Sequence, residues 1–444
     1  MRYAAVRLPD PFGVTRAMEI RNVTGNRELA AKSDGPGGWD PMPIAVVALG
    51  ITQIVAWGTT LYALGVLAAP IAAETGWSRG LIFLGLTVGL LAQGILSTQI
   101  GRWTDRHGGR IIMSLGSALI AVGLMLLSRA ASEWQYLAAW AVLGPGMRMT
   151  LYDAAFASLV QVTPSRGRRA ISYLTLFGGF ASSVFWPIGH VLAEAIGWRG
   201  TCLVYAALNL GLCLPLHLWG LARQEVPGLT AAANDNTAEN SNAGFLEGRS
   251  RTLAMILFAL AVSSVAFVIG AMSVHLPPLL QAHGLSATVA VTLASIKGVA
   301  QVAGRVGEIA WGKRLHALDL GRLAIGLMPL AFMVLTVGGL SFNAALAFTI
   351  LFGISNGLIT IVRGAVPLAL FGRDGYGTIL GILATPYLIL NALAPSVFAL
   401  LVEWGGYRSA EMLLIAAGLA ALLAMELMAF WYRRLIRTPP SAGR

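Results

Sequence analysis

Long apolar runs separated by short polar turns occupy most of this chain. They fall at 43–73, 80–100, 111–128, 134–162, 170–196, 200–220, 252–280, 287–312, 322–340, 343–370, 376–401 and 409–432. About 20 apolar residues cover a bilayer core as a helix, and none of the runs shows the alternation of a barrel strand. The pattern predicts an all-α membrane protein with twelve transmembrane helices. The first, fourth and tenth runs are long enough to tilt or to project beyond the bilayer. Two stretches interrupt the pattern. Residues 1–41 mix basic and acidic side chains without an apolar core, which predicts a cytoplasmic N-terminal tail rather than a cleavable signal. Residues 221–251, with TAAANDNTAENSNAG at their centre, carry no periodicity and read as a cytoplasmic linker. The expected organisation is a tail at 1–41, a six-helix bundle at 42–220, the linker at 221–251, a second six-helix bundle at 252–434 and a tail at 435–444.

A repeat supports two halves built alike. EAIGWRG at 194–200 returns as EWGGYRS at 403–409, and the same offset of 209 places Gly144 on Gly353. Paired six-helix halves are common among secondary transporters. The fold expected is therefore two pseudo-symmetric six-helix bundles.

Composition sharpens the class. Of 444 residues, 56% are hydrophobic and 11% charged, against about 25% charged in a soluble chain. The formal charge of +11 suggests nucleic acid at first sight, but the basic residues sit in short turns between apolar runs. Arg79, Arg129, Arg199 and Arg408 fall on one side, Arg148, Lys297, Arg305 and Arg363 lie within spans, and the rest of the 31 gather on the other side. That asymmetry predicts a cell-membrane protein with both termini cytoplasmic, lipid as its surroundings and no nucleic-acid partner. Cys202 and Cys213 are too far apart on one helix to form a disulfide. No Walker-type loop, HExxH or GxSxG occurs, so neither an ATP-driven pump nor an enzyme is expected. No cofactor, metal or catalytic residue is expected.

GRWTDRHGGR at 101–110 is a dense polar stretch between the second and third spans. Gly101, Asp105, Arg106, Gly108, Gly109 and Arg110 resemble the loop signature of the major facilitator superfamily. The glycines suit turn conformations closed to other residues. The resemblance implies that Asp105 meets the start of the span near Tyr376 in the other half and helps lock one state of the transporter, with Gly101, Arg106, Gly109 and Arg110 as parts of that gate. The second-half copy at 312–322 keeps Gly321 and Arg322 but lacks the Asp-Arg pair. ETGWSRG at 74–80, RGRRAISY at 166–173, GWRG at 197–200 and SIKGVAQVAGR, ending at Arg305, further resemble the monocarboxylate and oxalate/formate branch. The acid often found in that branch four residues before the arginine is here Gln301, and the first-span lysine of some members is absent.

Ionisable groups inside a bilayer cost about 2.5–3.5 kcal/mol each on insertion scales, and they mark cavities or partners. Lys297, Gln301, Arg305 and Glu308 share one face of the eighth span, with Arg305 and Glu308 close enough to pair. Arg148 follows GPG at 144–146, where Pro145 is expected to loosen the fourth helix, and Tyr152 lies one turn on. Tyr387 and Asn391 share a face of the eleventh span, and Gln53, Trp57 and Thr60 a face of the first. Arg148, Tyr152, Lys297, Gln301, Arg305, Tyr387 and Asn391 are the candidate substrate-binding set. Arg363 lies nearer the cytoplasmic end and suits a gate. Asp153 and Glu308 are the acids of the central spans and the candidates for coupling. Glu411 and Glu426, near the ends of the twelfth span, read as interfacial groups. Four bases against two acids favour an anionic solute.

These readings lead to a monomeric secondary transporter moving a small organic anion, such as a monocarboxylate, by alternating access with protons as the coupling ion. Efflux of a drug-like or metalloid compound, and a sensor that binds without transporting, are the alternatives.

Overall fold

A computed structural model describes residues 40–222, 246, 248–312 and 315–437. Most of the expected linker, nearly all of the N-terminal tail and the end of the C-terminal tail lie outside the described residues. From Met42 onward the described residues form one compact unit.

This unit is helical throughout its described residues, apart from turns. Eight helices are long and apolar enough to cross a membrane, and the bent pair Arg79–Ile95 and Ser97–His107 makes nine. Two of these are double. Ala181–Leu208 breaks at Gly197, with φ 70° and ψ 171°, and Tyr376–Arg437 breaks at Gly406, with φ 72° and ψ 175°. The broken pair Glu133–Thr150 and Tyr152–Val162 counts as one further span, consistent with the twelve expected. The seventh span begins at Gly248, inside the stretch expected as linker, and the twelfth runs on to Arg437.

The repeat is visible as matched geometry. Gly197 and Gly406, 209 residues apart, adopt the same left-handed junction between paired spans. Gly144 packs on the backbone of Gly89 and Gln93, and Gly353 packs on the backbone of Lys297 and Gln301, at matching positions 208 residues on. A Cβ at either glycine would collide with that backbone, so helices approach closely where side chains are smallest. Ser78 and Ser286 cap the second and eighth spans alike, accepting from Leu81 N and Val289 N.

Each half has its own apolar core. One cluster, including Phe332, Phe348, Phe352 and Phe398, lies wholly in the second half, and another, including Tyr136, Trp140, Trp198 and Tyr205, wholly in the first. A third joins Met42, Phe156 and Leu174 to Tyr376 and Leu380, so the halves share a core at the end carrying residues 101–110. That end, rich in arginine, is called the basic end below.

Two expectations change here. Gly101 lies inside the helix Ser97–His107 and Gly109 begins the next helix, so only Gly108, with φ 81°, serves a turn. Gly101 is instead needed for close approach, because a Cβ there would run into the Gly377 carbonyl. The fourth span continues through Pro145 and breaks at Leu151, with φ −76° and ψ −173°. Ala154 N donates to Leu151 O at that break, while Gln53 Nε2 donates to Thr150 O at 2.7 Å. A side chain of the first span thus satisfies the carbonyl that the interruption frees.

Candidate functional site

Three helices of the first half are interrupted. The first span stops at Thr59 and resumes at Leu64, with Tyr62 N bonded to Trp57 O at 3.0 Å. The fourth breaks at Leu151. The fifth breaks at Phe180, whose N–H turns back to Phe177 O at 3.0 Å. Interrupted helices at membrane depth are tolerated where they line a cavity or a site.

Arg305, from the second half, reaches this region. It is 3% exposed. Its Nη1 donates to Thr175 O on the fifth span at 2.6 Å and its Nη2 to Thr360 Oγ1 at 3.3 Å. Tyr152 Oη donates to the same Thr175 carbonyl at 3.3 Å. Arg305 Nε has no hydrogen-bond partner among the described residues. Among the described residues no carboxylate pairs with this guanidinium either, since the neighbouring acid is used elsewhere: Glu308 takes Arg168 Nη2 at 3.4 Å. The expected Arg305–Glu308 pair therefore does not form, because the two side chains reach different points along the fifth span, Thr175 and Arg168.

Arg148 is buried still more deeply, at 1% exposure, and its one hydrogen bond runs from Nε to Ser97 Oγ at 2.6 Å. Asp153 is committed to Arg363, at 2.9 and 3.2 Å, leaving Arg148 without a paired acid among the described residues. The repeat relates the two arginines. Ser97 matches Arg305, and Arg148 matches Gly357, which packs on Gln301. Each half carries its cation on the opposite member of the same helix pair. Lys297 Nζ lies 5.3 Å from the Phe352 ring centroid, half-buried and without an acid partner among the described residues. Gln301, one turn from Lys297, is half-buried on the same helix.

Toward the basic end the halves are tied by polar contacts. Arg363 bonds Asp153 across the halves and lies 3.8 Å over the Tyr387 ring. Asp105 accepts from Gly377 N at 2.8 Å, Thr378 N at 2.7 Å and Thr378 Oγ1 at 2.6 Å, at the start of the eleventh span. An anion at a helix N-terminus is a favourable arrangement. Arg168 donates to Leu315 O at 2.7 Å and Gly312 O at 3.2 Å. Arg106 and Arg110 are exposed beside this tier.

Some candidates lie apart from the site. Asn391 Nδ2 donates to Ala266 O at 3.0 Å, a tie within the second half. Glu411, expected at the interface, is 2% exposed and accepts from Thr336 Oγ1 at 2.5 Å and faces His283 Nε2 at 3.0 Å. The sequence reading missed Tyr62, Ser97, Thr175, Thr360, Arg168 and Thr378. The Thr175 contact is made by a carbonyl, which no side-chain pattern could announce. Arg168 was visible only as one of several arginines in a turn.

Paired bundles, interrupted helices around buried cations and polar ties between the halves fit a membrane transporter rather than an enzyme. The family model described as Major Facilitator Superfamily matches residues 49–348, and the chain belongs to that family. It is similar to monocarboxylate transporter 12 of Xenopus laevis, 25% identical over 72% of this chain and 74% of that protein. It is also similar to monocarboxylate transporter 3 of Rattus norvegicus, 24% identical over 80% of this chain and 71% of that protein. Among solved structures, the human organic anion transporter MFSD10 (TETRAN) matches with a TM-score of 0.66 at 15% identity, covering 87% of this chain and all of that one (100%). FucP, solved in the outward conformation, matches with a TM-score of 0.67 at 14% identity, covering 88% and 99%.

Proposed function

We propose that the chain moves a small organic anion across the cell membrane by alternating access, with the basic end cytoplasmic. The observation that carries this is the pair of buried arginines, Arg148 and Arg305, one from each half and neither paired with an acid among the described residues. A buried cation without a counter-ion is costly, and an entering carboxylate relieves that cost at the moment of binding. Arg305 and Tyr152 are the anchors, Lys297 and Gln301 lie towards the opposite end on the same helix, and Arg148 supplies the field. Monocarboxylate transporters among the relatives, and an organic anion transporter among the structural neighbours, agree with this substrate class.

Asp153 and Glu308 are the coupling groups. Each holds an arginine of the other half, so a proton on either carboxylate removes a tie that a bound anion then need not break. Asp105, with Gly101 behind it, latches the basic end, and Arg363 closes the layer above. The working unit is a monomer.

The test is counterflow in proteoliposomes with labelled lactate, pyruvate, oxalate, formate and arsenite. Anion exchange should occur in the wild type and fall at least tenfold in Arg305→Leu and in Arg148→Leu, with the thermal unfolding transition retained. Charged-partner contacts of about 1.5–3 kcal/mol set that scale. Flux of arsenite alone would identify a metalloid carrier, and saturable binding without flux a sensor. Either result would overturn the reading.

A further inference from the structure

A run of aromatic rings leads away from Arg305 along the first half. Phe156 stacks on Tyr152 at 5.3 Å and 19°, Tyr152 meets Trp57 at 5.2 Å, Trp57 meets Tyr62 at 6.0 Å, and Tyr62 meets Trp186 edge-on at 6.3 Å. Core packing accounts for Phe156 and Tyr152, which are buried. It accounts for the outer members only in part. Trp57 and Tyr62 are only half-buried, and Trp186 is 50% exposed. The break in the first span creates the run: the bond from Tyr62 N to Trp57 O folds the chain so that the two rings adjoin. Trp57 is fixed by its indole N–H on Gln53 Oε1 at 3.2 Å, the same glutamine that spans the break at Leu151. Gly65 admits the Trp186 indole, whose Nε1 would lie 3.1 Å from a Cβ there.

The aromatic face therefore ends at a buried guanidinium whose Nε has no hydrogen-bond partner among the described residues. We propose that the preferred substrate is a flat aromatic monocarboxylate of about benzoate size, its carboxylate on Arg305 and its ring against Trp57 and Tyr62. The proposal rests on the organic-anion reading above and narrows it. A short aliphatic acid engages the arginine but leaves the rings unmatched. A saturated ring of the same size fills the space without the offset or edge-on geometry that aromatic pairs favour.

Competition separates these cases. Full-length protein is tested for protection against thermal unfolding in detergent, and for counterflow of labelled benzoate in liposomes. Unlabelled benzoate, cyclohexanecarboxylate and lactate are the competitors. Benzoate should act at concentrations about tenfold below the other two, the scale of one good aromatic contact. Trp57→Leu should bring benzoate level with cyclohexanecarboxylate, and Trp57→Phe should restore most of the difference. Tyr62→Leu gives the same comparison if the Trp57 variant fails to fold. Equal potency of lactate or cyclohexanecarboxylate in the wild type would overturn the aromatic preference and leave the anion reading standing. A failure of every carboxylate to bind or move would overturn the anion reading itself, and this proposal with it.

Discussion

The turn between the second and third spans and the turn between the eighth and ninth occupy equivalent places in the two halves, yet they tie the halves at the basic end by opposite chemistry. In the first half the turn supplies the acceptor: Asp105 takes the Gly377 and Thr378 amides at the head of the eleventh span. In the second half the turn supplies carbonyls and Glu308, and the donor is Arg168 at the head of the fifth span. Arg168 and Gly377 are the same position in the repeat, 209 residues apart. One latch uses backbone amides fixed by a helix, and the other uses a long side chain that must be ordered to serve. Although 312–322 lacks the Asp-Arg pair, the halves are tied there as well, with donor and acceptor reversed.

The largest expected effect comes from breaking each latch in turn. Asp105→Asn removes the charge that faces the helix terminus and leaves one weaker acceptor. The closed basic end should lose about 1.5–3 kcal/mol, a shift of ten- to a hundredfold. Arg168→Gln should cost less, about 0.2–1 kcal/mol, because that side chain is 31% exposed and its ion pair is screened. Distances between spin labels at the exposed positions Arg102 and Arg373 would report both populations. Equal shifts in the two variants would show that the latches do not differ in the way their geometry implies. The latches act on one equilibrium without sharing a partner, so the double variant should shift by the sum.

A smaller effect tests the part of the comparison that is symmetric. Gly197→Ala and Gly406→Ala each place a Cβ on a residue with φ near +70°, and nothing lies within 4 Å of either Cβ. The cost is backbone strain alone, about 1–2 kcal/mol per site. The two variants should lower thermal stability by the same amount. Unequal losses would mean that the shared φ and ψ hide different surroundings.

The symmetric part of the molecule was legible in the sequence and the asymmetric part was not, for a physical reason. Span length, the offset of 209 and the Gly144–Gly353 match are written in apolar runs and in glycines, whose roles follow from size and φ. The position of Asp105 opposite Tyr376 followed from the resemblance. The pairing of charges did not follow. Periodicity placed Arg305 and Glu308 on one face and suggested that they join, whereas each crosses to the other half, to Thr175 and to Arg168. Pro145 suggested a break that the helix absorbs, and the real break at Leu151 depends on Gln53 from another span. Same-helix geometry can be read from spacing, but partners contributed by a facing helix cannot.

The smallest effect concerns pH and belongs to the second latch alone. His316 caps the ninth span, its Nδ1 accepting from Leu318 N at 3.2 Å, so the cap requires a neutral imidazole. Burial holds its pKa below the ordinary 6.5; Asp319 pulls it back up, and Arg168 and Arg433 push it further down, while the Tyr432 ring stacks at 5.7 Å. The sign follows from linkage. Above pH 6.5 the imidazole is neutral whether the chain is folded or not, and stability does not change on its account. Below that value the unfolded chain takes up the proton first, and stability falls as the pH drops toward the folded pKa, by at most about 1.4 kcal/mol per pH unit. Protonation also sets a second positive charge near Arg168, against the carbonyls that this arginine uses. His316→Asn keeps a capping side chain and removes the titration. The variant should match the wild type in thermal stability at pH 8 and exceed it at pH 5. It should also flatten the pH dependence of the Arg102–Arg373 distance. An unchanged slope in the variant would place the acid sensitivity outside the second latch.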